Sequence, residues 1–202
     1  ECEGRRLAAT IDDGSKATGL LIVSGGNEIR SGAHAGQAAM AAHFAALGYP
    51  VLRYDRRGIG DSEGENAGFE RSAADIAAAV LAFRSEAPNM QHVVAFGNCD
   101  AAAALALYHH DLNISRLILA NPWAGSLLPE EQQRLRSTVD VINRGIRDVS
   151  SARARATSTF RDSVMNHDRV KNRALEEVLR GIEDEMRTWM QSARPRDYVE
   201  VE

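Results

Sequence analysis

The sequence predicts an α/β fold in which a doubly wound, mostly parallel sheet is followed by an all-helical tail. Four short apolar runs have the length and continuous apolar character of strands that are buried on both faces. They are GLLIVS (19–24), PVLRYD (50–55), HVVAF (92–96) and RLILAN (116–121). Three runs of helical length and period lie between them, at 36–48, 72–86 and 98–110. This alternation favours a parallel sheet with helices on both faces.

The chain changes character near Trp123. Thirteen of its sixteen glycines precede this residue, and from Leu128 onward the apolar residues recur only with helical spacing. They form two stripes: Leu135, Val139, Ile142 and Ile146, and then Val170, Ala174, Val178, Ile182, Met186 and Trp189. We therefore divide the chain into a core at 3–123 and a helical cap or tail at 124–202. The stripes are typical of core-facing helices, and the alternative is a helical pair that binds a partner or forms a homodimer.

Charge and composition disfavour several classes of protein. The 202 residues carry a net charge of −4 and have a pI near 5.9, which argues against nucleic acid or an anionic membrane as the main partner. No apolar run approaches the roughly 18 residues of a membrane span, and ECEGRRLAAT at the start lacks the apolar segment of a secretory signal. The two cysteines are Cys2, near an end expected to fray, and Cys99, in a core-like run. These features predict a cytoplasmic protein without a disulfide framework.

The residues GNCDA (97–101) carry the most specific catalytic signal. A nucleophile elbow needs a strand, a tight turn and a helix, with small residues on either side of the nucleophile. Here Gly97 precedes Cys99 and Ala101 follows it, and the start of a helix favours a thiolate. The carboxylate of Asp100 works against the thiolate, but its backbone N–H is placed to donate to an oxyanion. The alternative is that Cys99 is a buried, small apolar residue.

A second candidate element is the loop Ser24-Gly25-Gly26-Asn27, directly after the first predicted strand. An oxyanion hole next to a nucleophile elbow takes its second donor from a loop after an earlier strand. Glycine lets the backbone approach a substrate oxygen closely, so the N–H of Gly26 or Asn27 is the predicted donor. The alternative is a plain glycine turn.

Glycines also cluster in YDRRGIGDSEG (54–64), which nearly matches a dinucleotide-binding fingerprint. The last glycine comes one residue too late, and a polar, turn-rich stretch follows instead of the required helix. No two histidines or carboxylates share a metal-ligand spacing with a credible third ligand. We therefore expect neither a cofactor nor a metal ion.

Taken together, these segments resemble the alpha/beta-hydrolase superfamily. SGGNEIRSGAH, YDRRGIGDSEGEN, VVAFGNCDAA and LANPW are most similar to hydrolase 1 of the exosortase A system of Gram-negative bacteria. The resemblance covers residues 3–123. It implies a cofactor-free hydrolase with Cys99 as the nucleophile and with Gly26, Asn27 and Asp100 around the oxyanion hole. A cysteine in place of serine is similar to the dienelactone hydrolases, and the setting of the family suggests envelope or exopolysaccharide processing.

The base that such a nucleophile needs is less evident. In this fold a histidine held by an acid normally follows two further parallel strands. No histidine follows His167, and no clear strand follows residue 121 except at the chain end. We therefore expect an incomplete sheet, or one that another chain completes. His34, just after the glycine loop, is the favoured base for Cys99, and His167 is the second candidate.

The remaining four histidines are expected away from the site. His43 lies in a predicted helix, and His92 opens its strand at the opposite edge of the sheet. His109 and His110 end the elbow helix, about 15 Å from Cys99, and are expected to form a polar helix end and face different directions.

The leading hypothesis is hydrolysis of a small-molecule ester or thioester through an acyl-enzyme on Cys99. The alternative is a catalytically inactive module that binds a ligand or partner through its cleft and helical tail. The missing late histidine favours this alternative.

Overall fold

A computed structural model describes residues 1–123 and 128–137, together with the backbone of 163–166. All of these residues belong to one compact unit, Glu1–Arg169. The strands are β1 (Ala9–Asp12), β2 (Thr18–Val23), β3 (Val51–Tyr54), β4 (His92–Asn98), β5 (Arg116–Ala120) and β6 (Ser163–Asn166). They form one sheet in the order β1-β3-β2-β4-β5-β6. The four central strands are parallel, whereas β1 and β6 are antiparallel to their neighbours.

The four central strands are the four apolar runs of the sequence, and the predicted mostly parallel α/β sheet is confirmed. Every residue of β2, β3 and β5 is buried, as expected for strands covered on both faces. The chain runs from β2 outward to β3 and then crosses back to β4 on the other side of β2. The strand order therefore reverses between β2 and β4. In open α/β sheets a ligand binds at such a reversal, outside the carboxyl ends of the strands.

The helices that join these strands are α1 (Gly36–Ala46), α2 (Ala73–Glu86) and α3 (Asp100–Tyr108), which confirms the three predicted helices. The buried sides of α2 and α3 share one apolar cluster with alternate residues of the strands. The right-handed rule for crossover connections places α1 on the opposite face, where Met40, Ala41 and Phe44 are buried. A further helical segment, α4 at 129–137, contributes Leu135, which is 4% exposed and belongs to the α2–α3 cluster.

Three features differ from what the sequence predicts. The edge strand β1 is short and only half-buried, so it lacks the apolar run by which a strand is recognised. The sequence predicts a helical cap or tail at 124–202 with no clear strand before the chain end, but β6 lies in that range and pairs with β5. Cys2 is not frayed: it is 3% exposed, exchanges two backbone hydrogen bonds with Arg5, and donates its thiol proton to Asp75.

Part of the prediction lies outside the described residues. The second apolar stripe, beginning at Val170, and the strand-like end of the chain both fall there. The division at 123/124, the incomplete sheet and the homodimer through the tail therefore stay predictions. None of the described helices combines the length and the apolar character that crossing a bilayer requires.

We expect truncation after Trp123 to cause aggregation. The truncated chain loses β6, which leaves the hydrogen-bonding edge of β5 open, and it loses Leu135 from the core cluster. Size-exclusion chromatography and circular dichroism of the 1–123 fragment, beside the full chain, test this. A monodisperse, folded fragment would show that the core does not need the residues after Trp123.

Candidate active site

The predicted elbow is a sharp corner between β4 and α3. Cys99 has φ 58° and ψ −124°, a combination that a residue with a side chain rarely adopts. It is the N-cap residue of α3, and its side chain is half-buried. Cys99 therefore stands at the carboxyl edge of the sheet, next to the positive end of a helix dipole.

Hydrogen bonds to the adjacent strand hold this corner in place. The N–H of Cys99 donates to the carbonyl of Ala120 (3.0 Å), and the N–H of Trp123 donates to the carbonyl of Cys99 (3.1 Å). Gly97 lets α3 pack directly against β4, because a Cβ atom there would come within 2.8 Å of the backbone of Ala101. The close contact between α3 and β4 thus requires a residue without a side chain at position 97.

The loop after β2 packs directly on the elbow. A Cβ atom on Gly25 would lie 2.5 Å from the carbonyl oxygen of Asn98, so this contact requires glycine. The N–H of the next residue, Gly26, donates to Oδ1 of Asp100 at 2.6 Å. The structure thus brings the predicted loop and the predicted elbow together, but the Gly26 N–H is bound to the side chain of Asp100 in this state.

Arg56 is a buried cation at the same place, and the sequence did not single it out. It is 5% exposed. Its Nη2 donates to the carbonyl oxygen of Gly26 and lies 3.4 Å from Oδ2 of Asp100. A charged residue directly after a buried strand, at the edge where ligands bind, is the signal by which it could have been found.

A second buried charge fixes the far end of the same loop. Asp55, which follows β3, is fully buried and accepts hydrogen bonds from the N–H of Arg30 (2.5 Å) and of Asp61 (3.1 Å), and from the Arg30 guanidinium. The hydroxyl of Ser24 donates to Oε1 of Gln37 in α1 (2.7 Å). The glycine-rich segment 54–64 therefore surrounds a structural carboxylate.

The other predicted site residues are placed as follows. Asn27 is exposed, and its Oδ1 accepts a hydrogen bond from the amide of Asn66 (3.0 Å). His34 is exposed in the short turn Ala33–Ala35 before α1, with φ 50° and ψ 34°. Its role as the base for Cys99 stays a prediction. His167 lies outside the described residues.

Two expectations about the remaining histidines are wrong. His109 is fully buried, with Nδ1 3.0 Å from the carbonyl oxygen of Leu105, so it is not part of a polar helix end. The rings of His109 and His110 do not face different directions, since their centroids are 4.1 Å apart and their planes differ by 34°. His92 opens β4 as predicted, and burial and the nearby Arg84 lower its pKa.

The two cysteines occupy contrasting surroundings. Burial, with the hydrogen bond to Asp75 and the negative charge of that carboxylate, raises the pKa of the Cys2 thiol to about 11. At neutral pH Cys2 is therefore an unreactive thiol, whereas Cys99 is partly accessible. Among residues 1–123 and 128–137, no group of three or more His, Cys, Asp or Glu side chains is arranged to hold a metal ion.

Comparison with known proteins assigns the family. The model of the family described as "Serine aminopeptidase, S33", a group of hydrolases, matches residues 16–191. The chain belongs to this family and thus to the alpha/beta hydrolases. No curated protein matches the sequence.

Solved structures share the fold. The alpha/beta hydrolase GrgF from Penicillium sp. sh18 is 22% identical, with a TM-score of 0.54 over 74% of this chain and 51% of that one. A putative hydrolase from Agrobacterium vitis S4 is 18% identical, with a TM-score of 0.51 over 67% and 57%. The Pyrococcus furiosus esterase PF2001 is 21% identical, with a TM-score of 0.50 over 56% and 45%. The aligned region is thus about half of the length of these proteins.

We expect Gly97→Ala to destabilise the fold by about 1–3 kcal/mol, because the added methyl group overlaps the backbone of Ala101 and α3 has to move. Urea unfolding measures the change. Gly36→Ala is the control: this glycine has helical φ and ψ, and no atom lies within 4 Å of its added Cβ. The control is expected to be neutral or up to about 1 kcal/mol more stable. A Gly97→Ala protein as stable as the parent would contradict the close packing at the elbow.

Proposed function

We propose that this protein hydrolyses a small-molecule ester or thioester through a covalent acyl-enzyme on Cys99. The observation that carries the proposal is the strained, half-buried position of Cys99 at the strand-to-helix corner. Backbone strain of this kind costs about 1–3 kcal/mol and persists only where the surrounding structure enforces it. Its place at the reversal of the strand order, facing the loop after β2, further supports a nucleophile.

The chemistry follows from the groups around the elbow. The Cys99 thiolate attacks the carbonyl carbon, and the electron pair of the C=O bond moves to the oxygen. The N–H of Asp100, at the first turn of α3, has no acceptor within its helix and would donate to that oxyanion. The N–H of Gly26 or Asn27 would be the second donor. Collapse of the intermediate expels the alcohol or thiol, and water then cleaves the acyl-cysteine to give the acid and the free thiol.

A base has to remove the thiol proton, return it to the leaving group and later deprotonate the attacking water. We propose His34 for this role, with His167 as the second candidate. The position of His34 supports this choice, because it follows a loop at the same edge of the sheet as Cys99. The family name refers to a serine nucleophile, and the cysteine in this chain favours activated acyl groups, which a thiolate attacks readily.

The proposal also covers the biological setting. The resemblance of the four quoted segments supports a link to the exosortase A system of bacteria, and the free thiol of Cys99 fits a reducing, cytoplasmic compartment. Neither the described residues nor the comparisons favour the alternative of an inactive binding module, although the test below includes it as an outcome.

Mass spectrometry after brief incubation with p-nitrophenyl butyrate tests the acyl-enzyme. We expect one butyryl group on Cys99, formed faster than on a cysteine-containing peptide and lost again as free butyrate. Cys99→Ala should abolish the adduct. Cys2→Ala is the matched control and should retain it, because Cys2 is buried and its thiol pKa is about 11. Acylation no faster than that of the free peptide would support the inactive module.

Replacing the histidines one at a time identifies the base. We expect His34→Ala to slow acylation by about 100-fold or more, the usual contribution of a general base. His43→Ala, a histidine in the middle of α1, should leave the rate unchanged. A comparable loss in His167→Ala alone would transfer the role to His167. Equal rates in all three variants would contradict both His34 and His167 as the base.

A further inference from the structure

The carboxylate of Asp100 is bound to the N–H of Gly26, which the proposed reaction would use as a donor to the oxyanion. Its Oδ1 accepts the N–H of Gly26 at 2.6 Å, and its Oδ2 lies 3.4 Å from Nη2 of Arg56. The side chain of Asp100 is only 14% exposed. A negatively charged oxygen on the Gly26 N–H resembles the oxyanion of a tetrahedral intermediate, for which the Gly26 N–H is one of the two proposed second donors.

One reading of this contact is that Asp100 braces the loop, but the loop has other supports. Gly25 packs against the carbonyl of Asn98, and the Arg56 guanidinium binds the carbonyl oxygen of Gly26. The far end of the loop is bound to Asp55 through the N–H of Arg30. These contacts position the backbone of Gly26 without the side chain of Asp100.

The guanidinium of Arg56 provides a positive charge beside the position of the Asp100 carboxylate. In the part of the chain that the structure describes, Nη1 of Arg56 is buried without a hydrogen-bond partner. Because an under-satisfied buried guanidinium favours a nearby anion, Arg56 would stabilise either the Asp100 carboxylate or an oxyanion that replaces it.

We propose that the Asp100 carboxylate is an internal occupant of the oxyanion position, which a substrate displaces before Cys99 is acylated. This inference rests on the proposed function. It assigns Asp100 two opposite effects: its backbone N–H assists the reaction, whereas its side chain restrains it. Where only a fraction of the molecules has the position free, the apparent affinity for substrate falls by that fraction.

Removing the carboxylate frees the Gly26 N–H, but it also removes a negative charge beside Cys99 and so favours the thiolate. The test has to separate these two effects. Alkylation by iodoacetamide depends on the thiolate and needs no oxyanion donor, whereas acylation by p-nitrophenyl butyrate needs both. The ratio of the acylation rate to the alkylation rate therefore reports on the oxyanion position. Asp100→Asn removes the charge but keeps an oxygen that can accept from Gly26, whereas Asp100→Ala removes both.

We expect Asp100→Ala to raise this ratio about tenfold, as for a position that is free in about one molecule in ten. Asp100→Asn should raise it less, and Asp111→Ala, an exposed aspartate in the turn after α3, should not change it. An unchanged or lower ratio in Asp100→Ala would overturn the proposal and favour the brace.

A second readout separates a failure of this inference from a failure of the proposed function. If no variant is acylated while Cys99 is still alkylated, the proposed function fails. Hydrogen exchange of the Gly26 amide, measured by NMR, then decides about Asp100. Faster exchange of the Gly26 amide in Asp100→Ala, with the Glu28 amide of the same loop unchanged, supports the occupant. Faster exchange of both amides, or equal exchange of the Gly26 amide in Asp100→Ala, Asp111→Ala and the parent, overturns it.

Discussion

The backbone conformation of Cys99 is the constraint on which the rest of the site depends. A residue with φ 58° and ψ −124° turns the chain from β4 into α3 within one position, so its side chain stands at the edge of the sheet. The strain costs about 1–3 kcal/mol. Two backbone hydrogen bonds to Ala120 and Trp123, worth about 0.5–1.5 kcal/mol each, offset a cost of that size. The end of β5 thus stabilises the corner that β4 and α3 form.

Buried charges place the second half of the site. Asp55 and Arg56 follow β3 directly, and both are almost completely inaccessible. A buried charge is tolerated only where hydrogen bonds replace its water, so each draws the loop after β2 towards itself. Asp55 binds the N–H of Arg30 at one end of the loop, and Arg56 binds the carbonyl of Gly26 at the other. Hydrogen bonds therefore connect the carboxyl ends of β2, β3 and β4 to one another.

The sequence predicts the central sheet well because its strands are apolar on both faces and its helices are long enough to show their period. The sequence does not predict β1, because this strand forms by pairing with β3 and has no apolar run of its own. It also does not predict that Cys2 is buried, because the thiol binds Asp75, which lies 73 residues later in the chain. Local motifs located Cys99 and the glycine loop. The contact between Gly26 and Asp100 joins residues 74 apart, and no local pattern predicts which atom binds that N–H.

The start of α3 carries groups with opposite effects on the proposed reaction. In the proposed reaction the start of α3 would provide positive potential for a thiolate and an N–H for an oxyanion. Its first residue, however, is an aspartate, whose carboxylate disfavours the thiolate and binds the Gly26 N–H. A buried arginine beside that aspartate keeps the local charge balanced. Such balance is a property of the assembled sheet edge rather than of any single motif.

We propose that Cys99 and the loop after β2 act on the same substrate carbonyl. A crystal structure of the protein alkylated at Cys99 by a short-chain chloromethyl ketone tests it most directly, because the ketone oxygen marks the place of the substrate oxygen. We expect this oxygen to lie about 2.7–3.2 Å from the backbone nitrogen of Asp100 and from that of Gly26 or Asn27, the ordinary range of a hydrogen bond. A ketone oxygen that points into solvent, away from both segments, would contradict it.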